Sequence, residues 1–209
     1  AFTLAPMLNA AGRMGHARLA VELLTTENAY RAAQIARYLK EQNKLRQKCQ
    51  RDIFKQVRQR ILEAGFNHPD RRTIVLAGEN WHPGVIGIVA SRVIEEFGKP
   101  AILINLENGL GQGSGRSIEG FNLHDALCAC REHLVRFGGH ELAAGLRIQS
   151  DRVAAFAQAF EDYARRCNSD SGTPAALSID AEASIREFSE QLMRELAWLE
   201  PFGQGNPPP

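Results

Sequence analysis

With 209 residues, 44% hydrophobic and 23% charged, the chain has the make-up of a folded globular protein, long enough for one large core or two small ones and without a disorder signature. No apolar run approaches the ~20 residues of a membrane span and no basic-then-apolar leader opens the sequence, so the expectation is a cytoplasmic protein. The net charge of +1 hides a basic first third, where residues 1–65 hold 12 Lys and Arg against 5 Asp and Glu, and an acidic tail, where residues 168–209 hold 2 against 7.

Four cysteines, Cys49, Cys128, Cys130 and Cys167, are sparse and irregularly spaced, which predicts free thiols and not a zinc site or a disulfide scaffold. The chain opens at Ala1 without Met and closes on Pro207-Pro208-Pro209, which predicts an internal piece of a longer protein.

Residues 1–14, AFTLAPMLNAAGRM, read as a small, apolar, buried turn carrying one polar cluster, Asn9 and Arg13. An arginine among small residues needs an anionic partner, a structural carboxylate or a phosphate. From 16 to 64 there is no Gly or Pro, and apolar residues return at helical spacing. The pattern predicts a short helix near 17–24 and then a long one, opened by Thr25 or Thr26 and closed by Gly65. Between Arg37 and Arg60 it carries nine Lys and Arg against two acids. Such a face suits a nucleic-acid strand lying alongside, and it equally suits a solvated linker helix.

A strand is expected over 73–77, a helix over 85–97 and a second strand over 100–106, giving a β-α-β unit. Trp81 and His82 fall at the carboxyl end of the first strand, where open α/β sheets place ligands. His82 is therefore a candidate contact, set against a packed loop histidine. A glycine-rich strand or turn follows at 110–117, then a helix over 122–136, a short strand over 144–148 and a helix over 151–167 whose Val153, Phe156, Phe160 and Tyr163 form a core face. Adjacent His124 and Asp125 do not share a helix face, which argues against metal there. Beyond a linker at 168–174, residues 177–185 read as a strand and 186–199 as a helix.

The densest chemistry lies between Gly111 and Gly145. GSGRS (113–117) offers the Ser114 and Ser117 hydroxyls, bare amides and the Arg116 guanidinium, whose planar fork matches phosphate oxygens. FGGH (137–140) presents His140 behind Gly138 and Gly139, where a ligand can approach closely. Each turn alone reads equally well as an ordinary loop or cap. Two of them bracketing one helix favour an anion site. The glycines make neither the G-x-G-x-x-G fingerprint nor a P-loop.

GSGRS followed by GGHELAAG resembles the DHHA1 domain of the DHH phosphoesterase superfamily. WHPGVIGIVASR and LNAAGR resemble one branch of it, the RecJ-type single-stranded-DNA-specific exonucleases, and the motifs run in the family's order over essentially the whole chain. The resemblance implies an α/β fold with a small mixed sheet flanked by helices, preceded by a long connecting helix and followed by a partial OB-like module. Its boundaries would be the end of a DHH domain (1–25), a basic connecting helix (26–65), the DHHA1 domain (66–167), a linker (168–174) and the truncated start of the OB-like domain (175–209). It further implies the substrate-binding part of a bacterial 5′-to-3′ exonuclease of DNA repair and recombination, hydrolysing phosphodiesters with two Mn2+ or Mg2+ ions. Their ligands would lie in the DHH domain upstream of Ala1, so that no metal ligand is expected here and this piece alone is expected to be inactive. Arg13, Asn9, Ser114, Arg116, Ser117, Gly138, Gly139 and His82 would bind the substrate phosphates, with His140 as the catalytic electrophile near the scissile one. Partners implied are single-stranded DNA and replication or repair proteins such as single-strand binding protein or a helicase. Two alternatives stand beside this reading: a phosphodiesterase of short oligonucleotides or cyclic dinucleotides, and a non-catalytic RNA-binding DHHA1 module.

Overall fold

The structure, a computed structural model, describes residues 4–167, 179, 181–203 and 205–208. They divide into two compact units, one up to residue 171 and one from 172 onward.

The first unit opens with three helices, α1 (Leu4–Arg13), α2 (Ala17–Thr25) and α3 (Ala29–Glu63). LNAAGR is therefore the end of a helix and not the buried turn expected, which suits an alanine-rich run of good helix formers. Ala10 and Ala11 are its buried pair, and Ala11 packs with Ile35 and Leu39 of α3. The long helix starts later than Thr25 or Thr26: Asn28 is the N-cap, its Oδ1 accepting from the Arg31 N–H at 3.0 Å, while Thr25 still belongs to α2. Its 35 residues span about 52 Å. Gly65 closes it at φ 67°, as a helix stop requires.

Five strands follow in the order β1-β2-β3-β5-β4: β1 (Ile74–Glu79), β2 (Ala101–Glu107), β3 (Leu110–Arg116), β4 (Leu134–Gly139) and β5 (Ala143–Gln149). The first pair is parallel, joined through α4 (Pro83–Phe97), and the other pairs are antiparallel. The fold is the mixed α/β arrangement expected. On one face Ile102, Ile104, Leu146 and Ile148 pack against α5 (Leu123–Ala129) and the Phe156 and Phe160 rings of α6 (Val153–Cys167). On the other, Ile74, Ala101 and Leu103 pack against Val85, Val89 and Val93 of α4 and Val57 and Ile61 of α3. α4 lies over β2 and β3, and beyond it Gly145 and Arg147 of β5 and Arg136 and Gly138 of β4 are exposed.

Two expectations are corrected. GSGRS is not a turn: Gly113 to Arg116 form the second half of β3, in the middle of the sheet, and Ser117 follows directly, so of the strand or turn expected over 110–117 the strand holds. Its alternating glycines are set by packing, because a Cβ would fall 2.7 Å from Ile104 at Gly111, 2.8 Å from Leu146 at Gly113 and 2.9 Å from Leu123 at Gly115. The helix expected over 122–136 ends at Ala129, and after a short 3-10 turn Leu134 to Gly139 form edge strand β4. Leu134 and Phe137 can reach the core from a strand, where they pair with Ile148 and Leu146.

A buried carboxylate ties the start of the sheet to α6. Glu161 accepts from the Arg72 and Thr73 N–H groups, from Thr73 Oγ1 at 2.7 Å and from Arg165 Nε at 3.2 Å. Burial alone would raise its pKa, but these donors outweigh it and hold the carboxyl below its ordinary value.

In the second unit the described residues form α7 (Glu190–Leu196), flanked by 3-10 turns at Ile185–Glu187 and Ala197–Leu199, and a single bridge between Gly203 and Asn206. The helix expected over 186–199 is thus broken at Phe188 and Ser189, where Ser189 caps α7 by accepting from the Leu192 N–H at 3.1 Å. Of the strand expected over 177–185, residues 177, 178 and 180 lie outside the described residues, as does the linker at 168–174. Residue 185, the expected strand's last, lies in a 3-10 turn.

Candidate nucleic-acid interface

Three arginines from three separate stretches of chain gather around the end of α1, where Arg13 is the charged neighbour of both Arg46 and Arg116. Arg13 is the last residue of α1, and its Nη1 donates to the Gly84 carbonyl at 3.3 Å. Arg116 ends β3, tucked under α4, donating from Nη1 to Ser114 Oγ at 3.3 Å and to the Gly115 carbonyl at 2.7 Å. Arg46 comes from the middle of α3 and is held by two neutral amides: Nε and Nη2 donate to Asn43 Oδ1 at 3.1 and 3.0 Å, and Nη1 to Gln50 Oε1 at 2.9 Å. Burial pushes the pKa of Arg116 down, and the neighbouring Arg13 charge adds to it; the same two causes act in the same order on Arg46. Both stay charged, since guanidinium does not deprotonate in proteins. Among the described residues none of the three forms an ion pair with a carboxylate. Partly desolvated like charges gathered without acids are satisfied by an anion.

Glycines make this convergence possible. A Cβ on Gly84 would fall 2.2 Å from the Arg13 carbonyl oxygen, so the start of α4 lies directly on the end of α1. A Cβ on Gly87 would fall 2.9 Å from Ser114 Oγ and 3.0 Å from Arg116 Nη2, so α4 leaves just enough room for that pair.

His140 stands in the tight connection between β4 and β5, its N–H donating to the Ala143 carbonyl at 2.8 Å, and its ring is exposed. Ala143 pairs with Arg116, so His140 and Arg116 share one end of the sheet. Gly139 is required there, because a Cβ would lie 2.4 Å from the Ala143 oxygen and 2.5 Å from the Ala144 Cα. Gly138 is different: nothing in the protein lies within 4 Å of its Cβ position, and its partner Gly145 meets only one atom, at 3.8 Å. Packing does not ask for glycine at either position, so they leave the sheet bare toward the open side.

The remaining sequence candidates are more dispersed. Asn9 is exposed on α1, one helical turn before Arg13. His82 is the N-cap of α4, its Nδ1 accepting from the Gly84 N–H at 3.1 Å, which leaves Nε2 as the ring's proton-bearing atom. The Ser117 hydroxyl is buried and donates to the Phe121 carbonyl at 2.7 Å, so it closes the loop after β3 and is not free for a ligand. Arg46 with its holder Asn43, and the glycine pair Gly84 and Gly87, were missed from sequence. Two glycines three apart inside a helix pattern are a legible sign of close approach. Arg46 carries no such sign among nine basic residues on one helix.

No group of three or more His, Cys, Asp or Glu that could hold a metal ion occurs among the described residues. The site is built of cationic and amide donors, which bind anions. His124 and Asp125 are 3.8 Å apart at the start of α5 and Cys128 Sγ lies 3.7 Å from His124 Nδ1, but among the described residues they make no group that could hold a metal.

Residues 70–166 match the DHHA1 domain family. Over its whole length the chain is 35% identical to the single-stranded-DNA-specific exonuclease RecJ of Bacillus subtilis, covering 26% of that protein, and 35% identical to RecJ of Thermus thermophilus, covering 29% of it. It also superposes along its full length on crystal structures of Thermus thermophilus RecJ in complex with Mg2+ (TM-score 0.85, 33% identity, 32% of that chain) and with Mn2+ (TM-score 0.84, 34% identity, 30% of that chain). The chain therefore spans between a quarter and a third of the length of these relatives.

Proposed function

Because residues 70–166 are a DHHA1 domain in a chain that matches a segment of RecJ exonucleases end to end, we propose that this chain is the substrate-holding part of a single-stranded-DNA-specific exonuclease. It works from the 5′ end of the strand in DNA repair and recombination. The acid-free convergence of Arg13, Arg46 and Arg116 beside Ser114 carries the proposal. A terminal phosphate is dianionic near neutral pH and presents three oxygens, which matches three guanidiniums and a hydroxyl better than an internal phosphodiester does.

In this reading Arg116 and Ser114 grip the terminal phosphate from the sheet, Arg13 from the end of α1 and Arg46 from α3, while Asn9 and His82 stand at the rim. Bare Gly138 lets the backbone of the strand lie against the sheet, and Gly139 keeps the β4–β5 connection tight. His140, at the same sheet end as Arg116, donates a hydrogen bond to a phosphoryl oxygen whose charge grows during hydrolysis. A divalent ion, Mg2+ or Mn2+, would supply the activated water, and no group of His, Cys, Asp or Glu among the described residues fits its coordination. In this reading its ligands would be those of a DHH domain. Single-strand binding protein or a helicase would deliver the strand, in the cytoplasm of a bacterium.

The test is affinity of the chain for 5′-phosphorylated against 5′-hydroxyl single-stranded DNA at two salt concentrations, for the native sequence and Arg116→Ala. A phosphate-dependent affinity that Arg116→Ala removes supports end binding. Equal affinity for both ends would move the assignment toward a phosphodiesterase of short substrates or an RNA-binding module.

A further inference from the structure

Beyond the arginine convergence, the open side of the sheet carries a second feature that the proposed end-binding site does not use. Read across β3, β5 and β4, the side facing away from α5 and α6 is laid out in rows. Arg116 and Ala143 form one row, Ser114, Gly145 and Gly138 the next, and Gln112, Arg147 and Arg136 a third. Gly145 and Gly138 of the second row and Gln112, Arg147 and Arg136 of the third line a shallow groove of about 310 Å³. At ~3.3 Å per residue, the first and third rows lie about 13 Å apart, with only glycine and serine between them.

Arg136 and Arg147 are directly opposed cross-strand neighbours. Like charges in that position destabilise a sheet. Neither forms an ion pair or a side-chain hydrogen bond among the described residues. The juxtaposition is produced by a specific irregularity. Leu134 pairs with Ile148 and Arg136 with Arg147, so two steps along β4 match one along β5, and Val135 is the extra, exposed residue of a β-bulge. Without the bulge, period-two alternation would keep Arg136 on the core face beside Leu134; with it, Arg136 turns out to stand beside Arg147. Glu107 shares the next hollow along β3 with Arg147 and closes the cationic strip at that end.

We propose that Arg136 and Arg147 form a second phosphate subsite, binding an internal phosphodiester of the same single strand whose terminal phosphate is held at Arg116 and Ser114. The inference rests on the end-binding reading above and adds the path of the strand: along the bare Gly138 and Gly145 floor, from the Arg116 row to the Arg136–Arg147 row. Two cationic rows separated by an uncluttered floor suit a ligand with phosphates at intervals, which a mononucleotide lacks.

The experiment measures binding of 5′-phosphorylated oligodeoxythymidylates of increasing length, starting from the mononucleotide, to the 209-residue chain in its native form and as R136Q/R147Q. Both substituted side chains are exposed, so the melting temperature is the folding control, and R136K/R147K is the charge-retaining comparison. Native protein should gain affinity as the oligonucleotide grows past the first few nucleotides. R136Q/R147Q should bind the mononucleotide as native does and lose roughly ten-fold of the length-dependent gain. Its log–log salt slope should be shallower by about 0.7, the share of one phosphate on a single strand, and R136K/R147K should restore most of both. An equal gain with length in native and R136Q/R147Q overturns the subsite. So does an equal loss for mononucleotide and oligonucleotide, which would put the pair at the terminal phosphate. If native protein ignores the 5′-phosphate yet R136Q/R147Q still removes the length gain, the subsite stands and the end-binding reading falls.

Discussion

Gly84 and Arg13 are locked together: the Arg13 guanidinium donates to the Gly84 carbonyl, and the Arg13 carbonyl oxygen occupies the place a Gly84 side chain would need, 2.2 Å from its Cβ position. A backbone atom cannot yield as a flexible side chain can. Gly84→Ala should therefore separate α1 from α4, costing about 1–3 kcal/mol of stability and displacing Arg13 from the phosphate site. Chemical denaturation and oligonucleotide binding, measured on the same sample, should both fall. Unchanged stability would mean that α1 does not dock on α4.

The two glycines before His140 should behave oppositely. Gly139→Ala drives a methyl into the Ala143 carbonyl and Ala144 and should destabilise by about 1–3 kcal/mol. The Cβ position of Gly138 is open, and Gly138→Val should leave the melting temperature nearly unchanged while weakening single-strand binding several-fold. Calorimetry paired with fluorescence anisotropy separates the two effects, and a destabilised Gly138→Val would show that the open side is covered.

Arg46 depends on Asn43 for its direction. Arg46→Gln should weaken binding of 5′-phosphorylated strands roughly ten-fold and flatten the salt dependence. Asn43→Leu keeps every charge and should still reproduce part of that loss by freeing the guanidinium. Wild-type affinity in Asn43→Leu would place Arg46 outside the site.

Glu161 makes stability depend on acid. Its folded pKa lies below the unfolded value, so its contribution is fully present above about pH 4.3 and is lost as the pH falls through the lower, folded pKa. Glu161→Gln should cost about 1–3 kcal/mol at neutral pH, because a carboxylate accepting from Arg72, Thr73 and Arg165 is replaced by an amide with one acceptor oxygen. The difference between the two proteins should shrink below pH 4. Urea titrations at neutral and acidic pH measure it, and a gap that persists at low pH would assign the cost to packing.

What the sequence revealed follows from what side chains announce. The parallel strand pair, α4 and α6 were legible because their apolar residues repeat with periods of two or near four. β3 is open between strand and turn in the sequence, and its GSGRS half reads as a turn, because three of its seven residues are glycines. Glycine argues against a strand locally, and the demand for it comes from Ile104, Leu146 and Leu123, which are distant in sequence. β4 hid inside a helix-like run since Leu134 and Phe137 sit three apart, a spacing that a helix and a bulged strand both satisfy. Arg13, Ser114, Arg116 and His140 stood out by the small residues around them. Arg46 did not, because only tertiary contact separates it from the other basic residues of α3.

The long helix has a consequence for which changes of length the chain can accept. Its first half meets α1 and α2 through Ile35 and Leu39, and its second half meets α4 and β1 through Ile53, Val57 and Ile61. Arg46 lies between these two anchorages. One residue inserted anywhere from 40 to 52 would turn one anchorage about 100° against the other and lengthen the gap by about 1.5 Å. The segment behaves as a gauge block: its residues can be exchanged freely on the outer side, but their number is fixed, because that number aims Arg46 toward Arg13 and keeps the α1 end of the site in register with the sheet.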